Sequence, residues 1–156
     1  MLELSLAELN EFIVKAKANS YIGRAEKSLP SRLGSHDIQF RQGDYQYLDS
    51  YFGSTDFLGQ EVVYLKNEPI WAMNYYGRIV EPASYDGEKA GNAIIESLSK
   101  LYEKGQFLGE FSNETLWGKY TDTNKGDVSS FTGYEWIDFG GKKVYELYYH
   151  GGLIKP

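Results

Sequence analysis

Residues 37–79 read DIQFRQGDYQYLDSYFGSTDFLGQEVVYLKNEPIWAMNYYGRI, and this stretch decides the fold. Apolar and polar side chains alternate here with a period of two, the pattern of strands with two unlike faces. Gln42-Gly43-Asp44 and Lys66-Asn67-Glu68-Pro69 interrupt the alternation with turn-forming residues. The spacing predicts four strands, Asp37–Arg41, Tyr45–Phe52, Phe57–Leu65 and Ile70–Ile79, joined as an antiparallel meander.

Upstream, Ser5-Leu6-Ala7-Glu8 is a capping-box pattern, and Leu6, Leu9, Phe12, Ile13 and Ala16 follow at helical spacing. That helix is expected to fade near Asn19 into a Ser20–Ser35 loop rich in Gly, Pro and Ser. Downstream, Glu81–Gly87 breaks the strand pattern. Asp86 then caps a second helix reaching Lys104, with Ala90, Ile94, Leu98, Leu101 and Tyr102 on its apolar face and Gly105 past its end. Three more strands are expected at Thr115–Thr121, Phe131–Phe139 and Lys143–His150. Gly140-Gly141 turns the last pair, and Asp122–Ser130 reads as a polar loop. Strands cluster instead of alternating singly with helices. The expected fold is therefore α+β: one domain over 1–156, a mainly antiparallel sheet of about six to seven strands, an N-terminal helix and one helix inserted after the fourth strand. No internal repeat stands out.

Composition narrows the function classes. The chain has 156 residues, 24% charged and 42% hydrophobic, as in ordinary globular proteins. Its longest apolar runs, Val62–Leu65 and Ile70–Met73, fall far short of the roughly 20 residues of a membrane span. No basic, apolar secretory leader opens at Met1–Leu4. The net charge of −6 and the lack of a basic stripe argue against nucleic-acid binding by this chain alone. The absence of Cys removes disulfides, thiolate metal sites and a Cys nucleophile, and fits a cytoplasmic location. Asp44, Asp49, Asp56 and Glu61 carry oxygen ligands, but their spacing matches no calcium loop. Neither a phosphate-binding Gly loop nor a Gly-x-Ser-x-Gly elbow occurs, so no cofactor and no metal is expected.

Several stretches carry a family likeness. They are Gly43–Gly53 with Thr55-Asp56-Phe57, then Gly59, Glu61-Val62-Val63 and Pro69–Arg78, and finally Lys143–Leu147 with His150-Gly151-Gly152. In these the chain resembles a bacterial family known only as a domain of unknown function. Its members occur alone or as the C-terminal half of XRE-type helix-turn-helix transcription regulators. The resemblance implies a sensory or regulatory role and supplies no mechanism. No DNA-reading helix pair precedes residue 37, so the resemblance places no DNA binding in this chain.

The other anomaly is aromatic: 16% of residues are Phe, Trp or Tyr, and Tyr alone numbers 14. Parity sorts them by face. Tyr45, Tyr47, Asp49 and Tyr51 share one face of their strand. Trp71, Met73, Tyr75 and Ile79 form an apolar face, opposite Asn74, Tyr76 and Arg78. Glu146, Tyr148 and His150 share a face opposite Tyr145, Leu147 and Tyr149. If the mixed faces coincide, Tyr47, Asp49, Tyr51, Asn74, Tyr76, Arg78, Glu146, Tyr148 and His150 make a Tyr-rich polar side facing away from the helices. Such a side suits a flat ligand oriented by polar groups, although one solvated face is also what an antiparallel sheet ordinarily has. The leading expectation is a sensor-like domain that binds a small molecule or a protein. The alternatives are a small hydrolase or isomerase pairing His150 with Asp49 or Glu146, and a homodimerisation module.

Overall fold

The computed structural model describes residues 3–156; Met1 and Leu2, where a leader was sought, lie outside them. Ser5 caps the first helix by accepting from the Glu8 amide at 3.3 Å, and α1 runs Leu6–Ala18 with Asn19 as its C-cap. Leu9, Phe12, Ile13 and Ala16 bury its apolar stripe. Asp86 caps the second helix in the same way, accepting from the Lys89 amide at 2.9 Å, and α2 runs Gly87–Glu103. Neither helix is long and apolar enough to cross a membrane.

Between and after the helices lie eight strands: β1 (His36–Gln42), β2 (Tyr45–Gly53), β3 (Phe57–Leu65), β4 (Glu68–Ile79), β5 (Phe111–Thr115), β6 (Gly118–Asp127), β7 (Ser130–Phe139) and β8 (Lys142–Leu153). All pair antiparallel in a single sheet of order β1-β2-β3-β4-β8-β7-β6-β5. The fold is α+β with the second helix after the fourth strand, but the sheet holds eight strands, not six or seven. The miscount comes from Thr115–Thr121, which is not one strand. Leu116 and Trp117 look strand-like but form a turn, in which the Thr115 hydroxyl accepts from the Trp117 amide at 3.0 Å and donates to the Gly118 carbonyl at 2.8 Å. Nor is Asp122–Ser130 a loop. β6 continues through Asp127, its polar residues satisfied by partners such as Gly109, whose amide donates to Asn124 at 3.0 Å.

The element order is a helix followed by a four-strand meander, twice, and the strand order is symmetric about the β4–β8 seam. An approximate two-fold axis passes between Tyr75 and Tyr149, which face each other across that seam. The rotation exchanges neighbouring pairs, so Met73 lies opposite Gly151 and Gly77 opposite Leu147. Corresponding hairpins also share a turn. Lys66-Asn67 has φ of 51° and 70°, and Gly140-Gly141 has 62° and 80°. The chain therefore contains an internal repeat. It escapes a scan for self-similarity because identity survives only at scattered positions: Tyr47, Asp49, Gly53, Phe57, Gly59, Glu61, Tyr75 and Gly77 recur as Tyr120, Asp122, Gly126, Phe131, Gly133, Glu135, Tyr149 and Gly151.

The Ser20–Ser35 loop is tied to the β1 edge. Its Ser28 amide donates to the Asp37 carbonyl at 2.8 Å, and the buried Asp37 carboxylate accepts from the Ser31 amide, Ser35 and Ser50.

Candidate functional site

The repeated positions meet on the sheet face that carries the two helices. Cross-strand register puts Asp49 directly opposite Glu61, and Asp122 directly opposite Glu135. Each pair sits between tyrosines contributed in the same way by both halves. Tyr47 donates to Glu61 and Tyr120 to Glu135. Tyr75 donates to Asp49 at 2.6 Å, and Tyr149 donates to Asp122 at 2.7 Å. The rings of Tyr75 and Tyr149 lie against their register partners Gly59 and Gly133, where any Cβ would collide with them. Tyr145 adds a second donor to Glu135 at 3.0 Å.

All of these side chains except Tyr120 line a cavity of about 530 Å³ between the inner sheet face and the helices. Apolar walls come from Ile22, Phe57, Met73, Ile94, Leu98, Phe107 and Leu147, and Lys27, His36 and Tyr51 also line it. Lys17 projects from α1 into this space and meets Glu61 at 2.7 Å with its own side chain almost fully buried. The second half has no such cation. Counted from the N-caps Ser5 and Asp86, the α2 position corresponding to Lys17 is Leu98, which lines the same cavity.

Burial dominates the electrostatics. It raises the Asp49 carboxyl to about 7, helped by the neighbouring Glu61 and opposed by Tyr75 and Lys17. It raises Asp122 to about 8, helped by Glu135 and opposed by the Tyr149 bond, by Asn124 and by Lys17. Glu135 is pushed up by burial as well, against the pull of Tyr120 and Tyr145. The tyrosine hydroxyls of the cavity are held protonated by burial and by these carboxylates, so they act as donors. Half-buried Tyr102 of α2 lines the cavity, and its hydroxyl meets no hydrogen-bonding partner among the described residues.

The nine residues singled out in the sequence divide between the two faces. Tyr47, Asp49 and Tyr51 lie on the inner, helix-covered side. Asn74, Tyr76, Arg78, Glu146, Tyr148 and His150 lie on the outer side, with Asn74 opposite His150, Tyr76 opposite Tyr148 and Arg78 opposite Glu146. Parity along each strand is as expected; it is the alignment of β2 with β4 and β8 that differs. Asp49 pairs through Glu61 with Met73, a residue of the apolar face. The outer residues form a partly exposed network. Arg78 donates to Glu146 at 3.1 and 3.3 Å, Tyr134 donates to the other Glu146 oxygen at 3.1 Å, and Asn74 accepts from Gln60 at 2.9 Å.

His150 and Asp49 are on opposite faces of the sheet, so that acid–base pair does not assemble. The four acidic candidates for a cation also disperse. Asp56 accepts from the Ile79 amide at 2.9 Å and Asp44 sits in a turn, leaving only Asp49 and Glu61 adjacent. Among the described residues no three His, Asp or Glu side chains converge as a ligand set.

Sequence reasoning missed Lys17, Tyr75, Tyr102, Tyr120, Asp122, Glu135 and Tyr149 as members of one site. The signal that finds most of them is the repeat Tyr-x-Asp, Phe-x-Gly-x-Glu, Tyr-x-Gly, in which each conserved spacing places its polar residue on the inner face. Residues 49–154 match DUF5680, a domain of unknown function. No curated protein and no solved structure matches the chain.

Proposed function

We propose that this chain, which belongs to the DUF5680 family of domains of unknown function, is a sensor-like domain that binds a small organic molecule in the cavity between its helices and the inner sheet face. One observation carries the reading. Ionisable groups that folding normally leaves in water are gathered instead around a half-open cavity large enough for a drug-sized ligand. Asp49, Glu61, Asp122 and Glu135 are each at most 6% exposed, a costly arrangement for packing alone. The tyrosines supply flat apolar walls with polar tips, and the unpartnered Tyr102 hydroxyl supplies a free donor.

The bacterial origin and regulator context implied by the sequence resemblance agree with a sensory role, and the acidic charge agrees with leaving DNA contact to another polypeptide. The outer face, with its Arg78–Glu146–Tyr134 network, has its polar groups largely occupied by each other and suits a structural part.

A thermal-shift screen of small organic compounds tests the reading. Hits are expected to lose their effect in Leu98→Trp, which fills the cavity, and to keep it in Tyr148→Ser on the outer face. The reverse pattern would move the site to the outer face.

A further inference from the structure

The two halves build the same carboxylate pair, but Lys17 touches only the first, reaching Asp122 and Glu135 through space and not by contact. In the first half, the Lys17 ammonium sits 2.7 Å from Glu61, next to Asp49, and within 3.4 Å of the Met73 sulfur. It therefore sits in a cage of carboxylate and thioether, with the Phe107 ring 5.5 Å away. In the second half, Asp122 and Glu135 keep the matching tyrosine donors, and the helix offers Leu98 where a lysine would stand. Glu135 spends both oxygens on Tyr120 and Tyr145. Asp122 receives Tyr149 on Oδ1, Asn124 lies close enough to favour its charged form as well, and the carboxylate lines the cavity. The Tyr102 hydroxyl, without a partner among the described residues, lines the same cavity. A carboxylate and a free hydroxyl that line the same open space describe the seat of a cation with hydrogens to donate.

Resting on the reading of the cavity as a ligand site, we infer that the ligand is an organic ammonium compound. Its charged nitrogen takes, at Asp122 and Glu135, the place that Lys17 takes at Asp49 and Glu61. The space left above Leu98 by the missing lysine stem accommodates an apolar or aromatic body against Ile94, Phe107 and Leu147. Tyrosine faces suit such a cation further, since their rings attract positive charge. The chain thus contains its own picture of the bound state: the first half is the second half with the cation supplied covalently.

Three probes with one aromatic body separate the possibilities: 2-(1-naphthyl)ethylamine, 2-(1-naphthyl)ethanol and 1-naphthylacetate, titrated by calorimetry into the full chain. The amine is expected to bind at least about tenfold more tightly than the alcohol, and the acid to bind least. Asp122→Asn combined with Glu135→Gln should erase the preference for the amine over the alcohol. Leu98→Lys should abolish amine binding by installing the cation in the chain, and should raise the unfolding midpoint. Equal or tighter binding of the alcohol or acid overturns the assignment of charge but leaves the cavity a ligand site. Failure of all three to bind overturns the assignment together with the reading it rests on. Should Leu98→Lys not fold, the Asp122→Asn and Glu135→Gln variant, which keeps the oxygen acceptors, still decides the matter.

Discussion

Trp71 shows how one residue joins the two halves. Its side chain is fully buried, stacks on Phe131 with centroids 5.8 Å apart, meets Phe107 edge-on, and donates from its indole nitrogen to the Val128 carbonyl at 3.0 Å. Phe131 and Val128 belong to the second meander and Trp71 to the first. Truncation leaves both a large void and an unpaired buried carbonyl. Trp71→Ala is expected to cost about 3–5 kcal/mol by urea unfolding. A loss under about 1 kcal/mol would contradict this packing. Trp71 was legible because an apolar residue two places from Met73 and four from Tyr75 marks the core face whatever the neighbouring strand does. Asp49 was not legible in the same way. Parity assigned it to a face of its own strand, but which face of the sheet that is depends on hairpin register, and a shift of one residue reverses the answer.

At the scale of elements, local signals were reliable where one residue type has one physical use. Asp86 before a helix and Gly140-Gly141 between strands were read correctly because capping and left-handed φ leave few alternatives. They failed at β5 and β6, where the exposed Leu116 occupies a turn and a polar strand faces a cavity instead of a core. Inner-face polarity of that kind imitates a loop in any hydrophobicity reading. The strands also depend on glycines chosen for a neighbour's ring and not for their own backbone. An added Cβ at Gly133 would occupy the position of the Tyr149 ring, directly across the β7–β8 ladder. Gly133→Ala is therefore expected to destabilise the chain by about 1–3 kcal/mol, since the ring has to leave and Asp122 loses its donor. Chemical denaturation gives the magnitude. Weakened binding of any cavity ligand by the same variant separates displacement of Tyr149 from a general loss of strand stability.

For the whole molecule, duplication doubles an arrangement that one copy alone makes expensive: two carboxylate pairs and one lysine in a common interior. The consequence is a stability that depends on pH in a definite direction. Asp49 and Asp122 titrate near 7 and 8 in the folded chain, against an ordinary value of 3.8. Between those limits the folded state holds protons that the unfolded state has released, so the free energy of unfolding falls as pH rises. The contribution is complete below about pH 4 and is lost by the time pH passes the folded values. The surrounding tyrosines stay protonated throughout this range and add no slope. Replacing both aspartates with Asn removes their share of the titration, leaving that of Glu135, and keeps oxygens to accept from Tyr75 and Tyr149. The Asp49→Asn, Asp122→Asn variant is expected to match the parent near pH 5. At pH 9 it should be more stable by on the order of 2 kcal/mol or more, with each unit of displaced pKa worth about 1.4 kcal/mol. Urea midpoints at pH 5, 7 and 9 provide the comparison. Parallel curves for the two proteins would mean that the aspartates ionise as freely in the folded chain as in water, and that the interior is wetter than its burial indicates.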